Sequence, residues 1–194
     1  MSDVATNYNQ VGGTQFSSTK NNNFNTDVKA MYDSQIERVA ARVSLSGNQS
    51  IPNATDTPVT AYNMASPTFN EGSLCTLTDS RVFNPGGAGS ITADTIQVPD
   101  EGLYLVTVQG RWASNSAGFR RIDVKVCSSG FGAASSVLVD DRSNNASTLF
   151  TRASGLAKLN AGDILWVVVR QTSGGALNFE GAGPNFFEII KLTK

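Results

Sequence analysis

The sequence predicts an all-β protein, a ten-stranded antiparallel jelly-roll sandwich preceded by an extended arm and one short helix. Three observations carry that expectation. Short apolar runs rich in β-branched and aromatic residues recur at regular spacing through most of the 194 residues. Clusters of Gly, Ser, Asn and Pro separate them, and the chain holds 18 glycines. Charged residues make up only 16% of the chain, against roughly 25% in an average soluble protein. This is the balance of a turn-rich β protein, and the length suits one main domain.

Residues 1–26 are dominated by Asn, Ser, Thr and Gln, with Val4, Tyr8, Val11, Phe16 and Phe24 as isolated apolar points. Neither a period of 2 nor one of 3.6 links them. Alone, such a segment cannot bury enough surface to offset its ordering entropy. Scattered aromatics are nevertheless side chains that pockets on another protein can take, so residues 1–26 read as an arm that orders on a partner. Residues 27–41 form the one convincing helix: Asn25 or Thr26 can cap it, Asp27 complements its dipole, and neither Gly nor Pro interrupts it. Being short, it must dock on the domain or on copies of itself.

Residues 42–194 are the knob. Strands are expected at 40–46, 59–62, 90–98, 102–113, 119–127, 136–140, 148–159, 163–172, 176–180 and 186–192. Three of them, around Leu103–Val108, Ile164–Val169 and Phe186–Ile190, are apolar on both faces. A strand with one solvated face alternates more cleanly, so these are covered twice. In a two-layer sandwich, three such strands in one sheet are best explained by a subunit interface on its outer face. If Tyr104, Val106 and Val108 face the core, alternation puts Leu103, Leu105 and Thr107 outside, and Leu165, Val167 and Val169 inside put Trp166 and Val168 outside. Leu103, Leu105, Trp166 and Val168 are therefore the expected oligomer contacts, Trp166 the largest.

Composition also narrows the chemistry. With no histidine, Ser-His-Asp and Cys-His activation and His-ligated zinc fall away. Cys75 and Cys127 lack metal or redox spacing and read as buried thiols, although a single bridge between them is open. The acids Asp100-Glu101 and Asp140-Asp141 lack the spacing of a calcium loop. A pair of carboxylates could still hydrolyse a glycosidic bond, but no pair is placed for it by the sequence. Lys and Arg total 15 against 16 Asp and Glu, a net charge of -1, which gives no drive toward nucleic acid or an anionic membrane. The first residues lack a basic and apolar leader, and no run reaches the ~18 apolar residues of a membrane span. Neither enzyme activity nor a cofactor is expected, and synthesis in the cytoplasm is.

The pattern Pro99-x-x-Gly102-x-Tyr104-x-Val106-x-Val108 is followed by Ile122-x-Val124-x-Val126. Next comes Ser154-Gly155-Leu156-Ala157-Lys158-Leu159-x-x-Gly162-Asp163-x-Leu165-Trp166-Val167, and Glu180-Gly181-Ala182 precedes the final apolar strand. In that order these motifs resemble the complement-type globular head within the tumour-necrosis-factor-like jelly rolls, over roughly residues 40–194. The resemblance implies a ten-stranded jelly roll assembling as a compact homotrimer. The wording around Gln49–Thr55 and Arg111–Arg121 is similar to versions of the domain in tailed-bacteriophage structural proteins. It implies a non-enzymatic virion component, a knob held to capsid or tail proteins by its N-terminal arm. The alternative is recognition of a host-surface glycan or protein through loops such as 115–118 and 128–135.

Overall fold

The computed structural model describes residues 39–87, 89–143, 149–181 and 185–192. The chain divides into two compact units, Met1–Glu37 and Arg38–Lys194. The arm residues Val4, Tyr8, Val11, Phe16 and Phe24, and residues 27–38 of the helical connector, lie outside the described residues.

The second unit is an antiparallel sandwich of two sheets. Sheet one runs β2(Gln49–Ile51), β12(Leu177–Glu180), β7(Gly102–Trp112), β13(Phe186–Lys191), β1(Ala40–Ser44) and β4(Phe69–Asn70), with β10(Leu149–Leu159) along the other side of β7. Sheet two runs β5(Thr76–Phe83), β6(Ile91–Gln97), β11(Ile164–Gln171), β8(Phe119–Cys127) and β9(Ser135–Ser143), with β3(Thr57–Pro58) against β11. The predicted class stands, with thirteen strands among the described residues rather than ten. The surplus is mostly the two- and three-residue pieces β2, β3 and β4, too short to leave a period in the sequence.

The core lies between the sheets, where Tyr104, Val106, Val108, Phe187 and Ile189 meet Ile122, Val124, Leu165, Val167 and Val169. The alternation read from β7 is the observed one, with Tyr104, Val106 and Val108 fully buried.

Three expectations change. Ala40 and Ala41 belong to β1, so the helical connector cannot reach residue 41. No strand forms at 59–62, because that segment crosses between the sheets: Val59 N–H donates to Val167 O in sheet two at 2.9 Å, while Tyr62 bridges Leu45 beyond β1. Conversely, β5 was not expected, since its alternation is broken by a register shift between Thr78 and Arg81 at Asp79-Ser80. Ser80 sits there at φ 46°, a left-handed conformation that costs a non-glycine residue strain.

Candidate functional site

The strands apolar on both faces do not share a sheet. β7 and β13 are neighbours in sheet one, whereas β11 is central in sheet two. Their outer faces therefore look in opposite directions, and Leu103 and Leu105 cannot line one surface with Trp166 and Val168. This corrects the single four-residue patch expected from the sequence. Alternation fixes a residue's side of its own strand but carries no information on which sheet the strand joins.

On the outer face of sheet two, Trp166 is only 2% exposed within its own chain. Phe83 of β5 meets it edge-on at 5.0 Å, and Ile164, Val168, Ala93 and Cys127 complete a second small core. Phe131 stacks above Phe83 at 5.9 Å, and the Arg81 guanidinium lies 5.5 Å from the Phe131 ring. The cover that the apolar run of β11 demanded is thus supplied by β5, β6 and the 128–134 loop. An exposed Trp166 anchor is not what the fold presents.

The outer face of sheet one is different. Register sets Ile190 beside Leu105 and Leu105 beside Leu156 across β13, β7 and β10. Ile190 and Leu105 are half-buried, and Leu156 is 60% exposed. Leu103 lies on the same face of β7, and Phe150, farther along β10, is 41% exposed. One row away stand Arg42, Glu188, Thr107 and Ser154, also side by side in register. These polar groups pair with one another: Arg42 pairs with Glu188 at 3.0 Å and lies over the Phe186 ring at 4.1 Å, its Nε left buried without a hydrogen-bond partner, and Thr107 and Ser154 hydroxyls meet at 2.8 Å. Among the described residues the face therefore combines an open apolar row with polar neighbours that mostly pair with one another. Ile190 and Leu156 were not singled out from the sequence, although Ile189 and Ala157 in the core place them outside by the same alternation.

The two nominated loops, 115–118 and 128–135, follow β7 and β8 and so lie at opposite ends of β8. They cannot form one binding surface.

The titratable groups are structural in placement. Asp94 is fully buried on β6, accepting Tyr62 N–H at 2.7 Å and Ser80 N–H at 2.9 Å, so it clamps both the inter-sheet crossing and the β5 break. Burial pushes its carboxyl up to about 6, with the two N–H donors opposing and the neighbouring Asp79 assisting. Asp140 takes Arg142 at 2.8 Å and the Arg152 N–H of β10, and Asp100 takes Lys191 at 3.3 Å. Among the described residues no group of three His, Cys, Asp or Glu side chains is placed to hold a metal. Cys75 and Cys127 are buried and unbridged, one in each apolar cluster, and burial holds the Cys75 thiol up to about 12.

No family model and no curated protein matches the chain. Solved structures do. The tumour-necrosis-factor protein Eiger of S. frugiperda superposes with a TM-score of 0.57 at 19% identity, covering 81% of this chain and 94% of that one. Murine APRIL at pH 8.0 gives a TM-score of 0.57 at 16% identity over 80% of this chain and 100% of its own, and at pH 5.0 a TM-score of 0.53 at 18% identity. The fold is the tumour-necrosis-factor-like jelly roll. At such identities the likeness concerns the fold alone. Within that jelly roll, β1, β7, β10 and β13 make the sheet whose outer face is open among the described residues, and β11 lies in the sheet whose outer face is closed by its own chain.

Proposed function

We propose that this protein is a non-enzymatic bacteriophage virion component: a homotrimeric tumour-necrosis-factor-like knob, fixed to capsid or tail proteins by its N-terminal arm, serving in decoration, as a head fibre or as a minor tail protein. The open row Ile190–Leu105–Leu156 on sheet one carries the assembly part of the reading. Apolar side chains in register across three strands gain by burial against another copy, at roughly 25 cal/mol per Å² of apolar surface covered. The number of copies follows from the family resemblance. In this reading Leu103 and Leu105 are interface residues, while Trp166 and Val168 serve the subunit's own packing.

The virion part rests on the similarity of residues 49–55 and 111–121 to phage structural proteins and on an arm whose scattered aromatics suit pockets of a partner. Its test is attachment: purified full-length protein should bind arm-free or protein-depleted particles saturably, and the chain lacking residues 1–26 should not. Undiminished attachment of the shortened chain rejects the anchoring role. The second reading, recognition of a host surface by loops of the same knob, is favoured by the construction of one end of the sandwich.

A further inference from the structure

Strand directions give the domain two unlike ends. Val39 O accepts Lys191 N–H at 2.8 Å, so the chain enters β1 beside the end of β13 and the start of β7. The 128–134 loop lies at that same end, since β8 runs antiparallel to β7's outgoing direction toward it. The opposite end, roughly 25–30 Å away along a nine-residue strand, carries loops 52–56, 113–118 and 172–176.

Those loops are tied into one layer by two buried side chains. Arg120 has no exposed surface, and its guanidinium donates to the carbonyls of Asn115, Ala117 and Phe119 at 2.9–3.3 Å. Gln171, equally buried, donates to Ile51 O and Gly175 O and accepts Ser173 N–H. A Cβ at Gly118, where φ is 70°, would collide with the Thr172 carbonyl, so the second and third loops are in direct contact. The layer is thus held in place before any partner arrives.

What it offers is specific. Asn53 Oδ1 accepts Gly174 N–H at 2.9 Å and Asn115 Oδ1 accepts Ala117 N–H at 2.8 Å. With each oxygen committed to a backbone donor, each Nδ2 group is turned away from that donor as an oriented hydrogen-bond donor. Segments 52–55, 113–118 and 172–176 contain neither acid nor base, and Asp56 beside them is paired with Arg170 at 3.5 Å. A protein interface draws its energy from exposed Trp, Tyr or Arg anchors, which these segments lack. We infer that this end of the knob, opposite the one where the chain enters β1 at Val39, binds a neutral glycan through the oriented amides of Asn53 and Asn115. Sugar hydroxyls accept from such donors, and a neutral sugar makes no demand for a charged partner. The inference rests on the recognition reading and assigns it a place and a ligand class.

Full-length protein should be tested on immobilised neutral hexose and N-acetylhexosamine oligosaccharides, with sialylated and sulfated ones alongside. The double variant Asn53→Asp, Asn115→Asp keeps both loop-holding oxygens and replaces each donor by an anionic acceptor. A second variant, Ser129→Ala with Phe131→Ala, alters the opposite end. Saturable binding to a neutral glycan, weakened at least tenfold by the Asn variant and unchanged by the other, supports the inference. Binding lost only in the Ser129, Phe131 variant, or confined to acidic glycans, overturns the inference and leaves recognition standing. No binding to any glycan overturns glycan recognition and this inference together.

Discussion

The outer faces of the two sheets carry comparable apolar sequence and treat it in opposite ways. On sheet two, Trp166 and Val168 are closed over by Phe83, Ile91 and Ala93 of the same chain. On sheet one, Leu105, Leu156 and Ile190 sit in register beside the polar row of Arg42, Glu188, Thr107 and Ser154, with Leu156 60% exposed. Apolar residues on both sides of a strand therefore say that a second cover exists, and only the three-dimensional neighbours say whether it comes from within the chain. A Trp in such a run belongs to subunit stability on one face and would belong to assembly on the other.

The largest effect should fall on the closed face. Trp166→Ala removes a side chain that is almost fully desolvated, and should cost about 3–5 kcal/mol of subunit stability by cavity formation. Denaturant unfolding measures it. A loss of association without loss of subunit stability would instead put Trp166 at an interface and reverse the comparison.

A smaller effect is tied to pH. The Asp94 carboxyl is raised to about 6 in the folded chain, from an unfolded value of about 3.9. The folded state then holds the extra proton, so this group's contribution to stability is fully present below about pH 4 and is lost as pH rises through 6. Its size is on the order of 2–3 kcal/mol between those limits. Asp94→Asn should remove that part of the slope, visible as a difference between the two stability profiles between pH 4 and 7. Identical slopes would mean that Asp94 does not titrate there.

The smallest effect belongs to the polar row of the open face. Arg42 and Glu188 form a partly exposed pair, so Glu188→Gln should change subunit stability by no more than about 1 kcal/mol. Thermal melts check this, and a much larger loss would make that row part of the core.

Much of the fold was legible in the sequence. The long strands β6 to β13 left periods and turn clusters that the residues themselves display, and the inward set of β7 followed from the family motif, with alternation assigning the outward set. Three kinds of information were not legible. Sheet membership of β11 depends on long-range pairing with β6 and β8, which no local pattern encodes. The break in β5 at Asp79-Ser80 puts an extra residue into the strand and destroys its period, although Asp94 holds the break from another strand. Segment 59–62 has strand-like residues but spends its hydrogen bonds on two different sheets. For the site, Leu103 and Leu105 were found from alternation, while Leu156 went unnoticed because Gly155 and Ala157 around it mute the apolar signal of β10.

The central claim, that the open face of sheet one is where copies of this chain meet, is tested most directly by sedimentation of Leu156→Glu beside the unaltered protein. Leu156 is the most exposed member of the row, so the substitution should leave subunit stability within about 0.5 kcal/mol. Burying like charges in a repeated contact is nevertheless prohibitive. The account predicts that the unaltered protein sediments as three chains and Leu156→Glu as a folded single chain. A variant that sediments as three chains would contradict it.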